Sequence, residues 1–575
     1  MRELRVIAAS FLIVSIVFFG LNSFAESRPN KVKVILIGLD GATWDVILPL
    51  VKQGKTSNLE RLIKQGSWAD LETIEPTVSP VIWTSIITGK NPDKHGIPDF
   101  YVRPPGTYDA VLVTSNIRKT KALWNILSER EKKVCVVGWQ VTWPAEEIAG
   151  FMVSDRSLYY SNYNTMTDLT YPKELYEEIK QLNIHGNDVS IEHLKSLNLP
   201  TADTCRENKS PCLSTPLEDF QSAYSWDQTH VNIGLHLLSQ YEWDLFIVYL
   251  KGIDQISHYY WKYMEPQYFE VSQEEINKYK DAIKNYYIYV DTILGDFLQF
   301  ADRDTIVFIV SDHGFHPTVP GRYADYRPLS FNKLLEKVDL LKYKHNMSDL
   351  SFRDFDKEET IIGQNTEAYE CGNAPGSWKR KICLNLKGRE PEGIIEPAEY
   401  EKAAEKVKQL LSNIMIKETR RPFLRVEPCS EADCDFTAIL NVNQEDIEKR
   451  HLTYLNKIDS LPIRELFLYS DVSGNHFHAP EGILAIWGKN IQKGKIEDAH
   501  VFDIAPTILY LMGLPVGKDM DGKILTSTII PEFVKKKPVE YIDTHDVEER
   551  KESKPLASPA DEEIKEKLRS LGYIQ

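Results

Sequence analysis

Five short runs of the chain are apolar at nearly every position: "KVKVILIGLDG" (31–41), "KKVCVVGW" (132–139), "WDLFIVYLKGID" (243–254), "DTIVFIVSDHG" (304–314) and "EGILAIWG" (481–488). They are rich in β-branched and aromatic residues and show no polar alternation, which is the pattern of strands buried on both faces. Between them lie segments with helical character, such as "TSNLERLIKQG", "KALWNILSEREK" and "YYIYVDTILGDFLQFA". Alternation of this kind predicts βαβ units: an α/β fold with a mostly parallel sheet and helices on both faces. In such sheets the ligand site lies outside the carboxyl ends of the strands. Two stretches break the pattern. One covers about 150–230 and is rich in Tyr, Asn and Ser. The other covers about 320–470 and contains "ICLNLKGREPEGIIEPAEYEKAAEKVKQLL", which reads as strand, loop and helix. Both are expected to be insertions forming a cap or side lobe. No internal repeat is visible.

The ends of the chain have a different character. "MRELRVIAASFLIVSIVFFGLNSFAES" has a basic start at Arg2 and Arg5, an apolar run from Val6 to Leu21 and small residues before Ala25. That is the layout of a secretory signal peptide over 1–25. The run is short for a spanning helix, and no later segment is long enough to cross a bilayer. The mature protein is therefore expected to begin near Glu26 and to be periplasmic or secreted from a bacterium. Residues 26–534 are then expected to form one large domain with its insertions. Residues 535–575 form a charged tail, Lys/Glu/Pro-rich to about Glu562 and at the surface.

Composition narrows the function. A chain of 575 residues with 42% hydrophobic and 26% charged positions is ordinary globular protein, long enough for one large domain with insertions. A formal net charge of -16 supplies no basic stripe for a nucleic-acid polymer, although a small anion could be held by bound cations. Seven cysteines leave at least one unpaired. Cys205/Cys212 and Cys429/Cys434 flank short polar loops and suit local disulfides in an oxidising compartment. Cys371 and Cys383 could pair as well, and Cys135 reads as a small core residue on a strand.

Chemistry gathers at the strand ends. The first run ends in Asp40, before Gly41. The third leads into Asp254 and His258, which share a helical face if a helix begins there. The fourth ends in Asp312 and His313, and Gly314 permits the turn that would let them converge. Just ahead of the fifth stand His476 and His478. Three carboxylates in one site repel one another unless cations neutralise them. Mixed His and Asp ligands suit zinc; fewer His and more oxygen would suit manganese or magnesium. A nucleophile is offered by "EPTVSPVIWTSIITG", where Pro80 keeps Ser79 out of a helix interior and opens the helix after it. Ser79 would then stand at a helix N-terminus, where free N–H groups and the dipole favour an anion. An ordinary helix cap accounts for this window equally well.

Taken in order, these motifs resemble the alkaline phosphatase superfamily, specifically its type I phosphodiesterase/nucleotide pyrophosphatase branch. "LIGLDG", the Ser-bearing stretch before "WTSIITGKNPDKHGI", "D-x-x-x-H", "SDHGF", "H-A-P-E-G", "DIAPTILYLMGLP" and "DMDGKIL" appear in the family's sequence, over about residues 31–527. The resemblance implies an alkaline-phosphatase-like three-layer fold, in-line displacement at phosphorus and a covalent phospho-enzyme. It also implies two divalent ions about 4 Å apart, zinc with manganese as the alternative. Carried over, Asp254, His258 and His478 would hold one ion. Asp40, Asp312, His313 and the Ser79 oxygen would hold the other, with Ser79 as nucleophile. His476 is the alternative to His478, but "H-x-P-E-G" fits only from His478. One departure stands out: where the nucleotide pyrophosphatases carry an Asn after "HGI", this chain has Pro98, Asp99 and Phe100. Lys387 and Arg389 could offer cationic contacts or simply be solvated. Tyr159, Tyr160 and Tyr163 fit either packing or a stacking surface. No formylglycine motif follows Ser79, and the phosphoglycerate mutase Ser motif is absent. The implied substrate is a small phosphoester, cleaved as a diester; a phosphomonoesterase is the runner-up, and a non-catalytic binding protein on the scaffold ranks below both.

Overall fold

The computed structural model describes residues 32–571, apart from 105–106, 109, 160–165, 205–213, 319–325, 329–330, 344–360, 362, 374–378, 430–433, 456–457, 470–471, 476–480 and 548–552. The signal-peptide segment, the Cys205/Cys212 pair, Tyr160, Tyr163, His476 and His478 thus lie outside the described residues. Among those described, no helix is long and apolar enough to cross a membrane.

The apolar runs all become strands of one ten-stranded sheet. In chain order its strands are β1 (Lys33–Leu39), β2 (Ser67–Glu72), β3 (Val134–Val137), β4 (Gly150–Val153), β5 (Thr170–Tyr171), β6 (Leu245–Leu250), β7 (Thr305–Val310), β8 (Glu481–Gly488), β9 (Gly494–Lys495) and β10 (Ala499–His500). Their order across the sheet is β9-β2-β8-β7-β1-β6-β3-β4-β5, with β10 also beside β2. The central strands β7, β1, β6, β3 and β4 run parallel, whereas β8 is antiparallel to both β7 and β2.

The helices that bear on the sheet and the site are α1 (Trp44–Lys52), α2 (Ser57–Gln65), α3 (Ser79–Thr88), α4 (Leu123–Ser128), α5 (Pro216–Gln240), α6 (Gly252–Met264), α7 (Ala282–Leu298), α8 (Ile504–Leu511) and α9 (Asp561–Leu571). Successive strand side chains point to opposite faces, so each buried strand feeds two cores. Ile35 and Ile37 of β1 join one core with α1, α2, α5, α6 and α7, while Val34 and Leu36 join the other with α3, α4 and α8. This is a three-layer α/β fold with a mostly parallel sheet.

The stretch 150–230, expected to be an insertion, is largely built into this body. Strand β4 extends the parallel sheet, and α5 lays Phe220, Val231 and Leu237 into the first core. A Thr215/Glu218 capping box and Pro216 in the first turn define where α5 starts. The stretch 320–470 differs. It contains two four-stranded antiparallel sheets around a core of its own, including Leu334, Tyr369, Leu411 and Ile463. Disulfides Cys371–Cys383 and Cys429–Cys434 lie in this side lobe, and Cys135 is a buried free thiol on β3. The C-terminal segment does more than coat the surface. Arg156 pairs with Asp561 at 2.6 Å, and Ala560 is buried beside Trp143 and Tyr159.

Candidate active site

Strand register brings the motifs to one level. Leu39 of β1 is opposite Leu250 of β6, and Gly38 is opposite Val310 of β7. Asp40, Lys251 and Ser311–Asp312–His313 therefore leave the sheet together at its carboxyl edge. Because β8 runs the other way, its first residue, Glu481, lies at this same edge. The residues before it approach through a two-residue ladder in which Asn475 pairs with His316. The antiparallel direction explains why the His motif precedes its strand whereas the other motifs follow theirs. His476 and His478 themselves lie outside the described residues.

Local geometry then turns the side chains inward. Gly41 has φ +68°, and a Cβ there would meet the Asp254 Cα at 3.2 Å, so only glycine fits between the two carboxylate-bearing segments. The glycine in the left-handed region is thus Gly41; Gly314 is not among the positive-φ residues. A helix does begin at 252, and it stacks Asp254 and His258 with 3.3 Å between Oδ1 and Nε2. Ser311 ties two of the strand ends together. Its hydroxyl accepts from the Ala42 N–H at 2.9 Å and donates to the His313 carbonyl at 2.8 Å.

Ser79 is the first residue of α3 and is buried. It is not the cap residue; Val78 is, and no side chain caps this helix. Its Oγ lies 3.5 Å from His313 Nε2. The helix terminus offers fewer free donors than its sequence suggests. Pro80 has no N–H, and the N–H groups of Val81 and Ile82 both bond the Val78 carbonyl, at 3.0 and 3.1 Å.

The centre is a cluster of buried ionisable groups. His313 Nε2 stands 3.4 Å from both Asp40 Oδ1 and Asp312 Oδ2. One ligand atom from each of Asp40, Asp254 and His313 falls within 4.8 Å of the others. His313 Nδ1 lies 3.0 Å from the Gly314 carbonyl, which can only accept, so the proton is on Nδ1 and the Nε2 lone pair faces the cluster. Burial pushes the His313 pKa down to about 4, which keeps the ring neutral. Burial, and then the charge of Asp254, pushes the Asp40 carboxyl up to about 8. Burial and then Asp40 and Asp254 hold Asp312 well above the usual range.

Asp40 Oδ1 and Asp312 Oδ2 accept no hydrogen bond among the described residues. Buried carboxylate oxygens left this way are costly unless a cation takes them. Oxygen and imidazole donors converging on one point fit a divalent metal such as zinc or manganese.

Other side chains hold this centre, and no local pattern in the sequence marks them. Tyr249 Oη donates to Asp40 Oδ2, and Gln140 Nε2 lies 3.3 Å from the same oxygen. Tyr249 packs edge-on against Trp83 of the Ser79 helix, with ring centroids 5.3 Å apart, and so links that helix to Asp40. Asp227 of α5 accepts from the Lys251 and Gly252 N–H groups at 2.9 and 3.1 Å and anchors the start of α6. An acid in mid-helix carries no local signal for such a role. Asp99, in the stretch that follows "HGI", is partly buried, which pushes its carboxyl up to about 7; the Phe100 N–H donates to it at 2.6 Å. Lys387 and Arg389 are away from the centre, paired inside the side lobe with Glu396 at 2.5 Å and Asp435 at 2.7 Å. Tyr159 is packed, edge-on to Trp226 at 5.4 Å.

The family model for type I phosphodiesterase / nucleotide pyrophosphatase matches residues 34–439. The chain belongs to this family. As a type I phosphodiesterase / nucleotide pyrophosphatase family member, it is a metal-binding hydrolase of the alkaline phosphatase superfamily. Among solved structures it is similar to wild-type alkaline phosphatase PafA, with 13% identity, a TM-score of 0.49, and 87% of this chain and 99% of that one covered. Human ectonucleotide pyrophosphatase / phosphodiesterase 5 is similar at 12% identity and a TM-score of 0.42, covering 86% and 98%. A curated relative, GPI ethanolamine phosphate transferase 3 of Saccharomyces cerevisiae, is 28% identical over 130 residues. That match takes in 22% of this chain and 11% of the yeast protein. The family match spans Asp40, Ser79, Asp254, His258, Asp312 and His313, and ends before His478.

Proposed function

We propose that this family member cleaves phosphodiesters in two steps through a covalent phosphoserine at Ser79. The observation that carries the proposal is the buried Ser79 hydroxyl, 3.5 Å from His313 Nε2 and beside carboxylate oxygens without hydrogen bonds. Asp254, His258 and His478 would hold one divalent ion, and Asp40, Asp312, His313 and Ser79 the other, with zinc as the metal of choice and manganese as the alternative. The ions would supply positive charge for the phosphoryl oxygens and lower the pKa of hydroxyl groups.

The residues of the chain do the rest. Ser79 Oγ gives up its proton to solvent and attacks phosphorus. The bond from phosphorus to the leaving oxygen breaks, and the alcohol departs with a proton from solvent. Water then cleaves the Ser79–phosphate ester and restores the hydroxyl. Tyr249 and Gln140 keep Asp40 aimed at the centre throughout, and the packed aromatic layer under β1 excludes water from below. Export is part of the same reading, since two disulfides within the lobe suit an oxidising compartment.

Bis-p-nitrophenyl phosphate and p-nitrophenyl phosphate, each assayed with zinc, with manganese and without metal, test the proposal. The diester should be hydrolysed with the higher kcat/KM and only with metal. A higher value for the monoester would make the enzyme a phosphomonoesterase instead.

A further inference from the structure

The two oxygens of Asp40 have different surroundings. Tyr249 of β6 is in register with Gly38 of β1, and its hydroxyl donates to Asp40 Oδ2. Gln140, beyond the end of β3, donates to the same phenol oxygen at 2.7 Å, which turns the phenol's own proton toward the carboxylate. The Gln140 amide nitrogen also lies 3.3 Å from Oδ2. The ring is held in place, edge-on to Trp83 and Trp139 with centroids 5.3 and 6.5 Å away. The layer is so close that a Cβ on Gly38 would meet Trp83 at 2.8 Å. Oδ1 of Asp40, by contrast, accepts no hydrogen bond among the described residues. Asp312 is divided in the same way. The Gly41 N–H reaches its Oδ1 at 3.4 Å, and its Oδ2 accepts none.

Each carboxylate therefore presents one oxygen to the centre. A carboxylate with both oxygens free can chelate through the pair, which raises the ligand count and suits ions that take six or more oxygens. With Oδ2 of Asp40 and Oδ1 of Asp312 engaged, the donors are Asp40 Oδ1, Asp312 Oδ2, His313 Nε2 and Ser79 Oγ. Four is the usual number for zinc, whereas manganese favours six. The spacing agrees with the count. His313 Nε2 stands 3.4 Å from each of the two carboxylate oxygens and 3.5 Å from Ser79 Oγ. Donors bonded at about 2.0–2.1 Å are about 3.3–3.4 Å apart around a tetrahedral ion, but only about 2.9 Å apart at neighbouring corners of an octahedron.

We infer that Tyr249 and Gln140 set the metal preference of this centre: by engaging Oδ2 they hold Asp40 to one-oxygen ligation and favour four-coordinate zinc over six-coordinate manganese. Both are positioning residues that act through Asp40. The inference rests on the metal-dependent reading of the centre and needs no particular phosphoester as substrate.

Competition titrations against a chromophoric chelator test it without turnover, by giving the zinc and manganese affinities of the parent enzyme and of two variants. Tyr249→Phe keeps the ring against Trp83 and Trp139 and removes only the donor. Its zinc-to-manganese affinity ratio should fall at least about ten-fold. Gln140→Ala should move the ratio the same way by less, because Tyr249 still donates to Oδ2. Cobalt in place of zinc reports the geometry itself, since four-coordinate cobalt absorbs visible light far more strongly than six-coordinate cobalt. That absorption should weaken in Tyr249→Phe. A packing defect alone would weaken both ions together and leave the ratio where it was. An unmoved ratio in Tyr249→Phe, with zinc still bound by the parent enzyme, overturns the inference and leaves the metal-dependent reading standing. A parent enzyme that binds neither ion overturns both.

Discussion

At the scale of single residues, the centre is a place where charge cannot be left to water. Asp40, Asp254, Asp312 and His313 are all nearly or wholly buried, and the carboxylates stay charged there only where a cation offsets them. Ser79 contributes a hydroxyl and no charge. The two kinds of residue should therefore respond differently to removal. Ser79→Ala should keep most of its bound metal while turnover of a diester falls by about three orders of magnitude or more. Asp312→Ala should lose metal, with affinity down by roughly ten- to a hundred-fold, and activity with it. Elemental analysis beside a diesterase assay separates the outcomes, and full metal with full activity in Asp312→Ala would refute the assignment. Charge is handled differently at Lys90, which is buried between Asp519 and Asp546, with Asp546 at 2.6 Å. Burial raises the Asp519 carboxyl, but hydrogen bonds from Lys90 and Thr544 outweigh it and hold the pKa below its usual value. A depressed carboxyl pKa stabilises the fold above the unfolded-state pKa, and the contribution is lost as pH falls toward the lowered value. Burial lowers the Lys90 pKa, yet its two acid partners raise it overall, so its contribution disappears only at strongly alkaline pH. Lys90→Met should then cost about 2–3 kcal/mol at neutral pH and much less near pH 3, read from urea melts at the two pH values.

At the scale of elements, the apolar runs located the core strands because a strand covered on both faces has no polar positions to conceal it. The i, i+4 spacing of Asp254 and His258 likewise named the helix that carries them, and the order of the motifs named the sheet edge. What could not be read was anything that depends on partners far apart in sequence. The stretch 150–230 read as an insertion because its strands are short and its polar residues many, yet β4 extends the central sheet and α5 packs into the first core. The hold of Tyr249 on Asp40 and of Asp227 on the start of α6 exists only once strand and helix are packed. Gly252 shows how tight that junction is. A Cβ there would stand 1.9 Å from Tyr286 Oη and 2.5 Å from Asp227 Oδ2. Gly252→Ala must displace the buried Tyr286 hydroxyl and Asp227 carboxylate that anchor the start of α6, which disturbs the placement of Asp254 and His258. The variant should lose about 1–3 kcal/mol of stability and bind metal roughly ten-fold more weakly, measured by thermal melts and metal titration. Unchanged metal affinity would show that α6 does not hold the centre.

At the scale of the whole molecule, the chain builds two kinds of core. One is layered over both faces of the large sheet and carries the strand ends where the acids and imidazoles converge. The other, between Phe331 and Phe467, closes on itself around two small antiparallel sheets. The lobe meets the body through the segment that follows α3, the helix that begins at Ser79. Tyr108 Oη donates to Asn385 Oδ1 at 2.6 Å, Tyr108 packs edge-on to Tyr369 at 5.2 Å, and Arg103 lies 5.1 Å from the Tyr369 ring centroid. Contacts of this kind orient the lobe but leave its stability to its own core and its disulfides. Cys371 and Cys383 join neighbouring strands across 12 residues, a closure worth about 2–3 kcal/mol. Reduction should therefore loosen the lobe first. Hydrogen exchange by mass spectrometry, with and without reductant, should show faster exchange within Ala368–Asn373, Lys379–Leu384 and Phe436–Leu440. Protection of β1, β6 and β7 should be unchanged, and bound metal should be retained, because every described residue of the centre is anchored in the other core. If exchange in β1, β6 and β7 rose in step with the lobe, the two cores would be one cooperative unit and the division drawn here would fall.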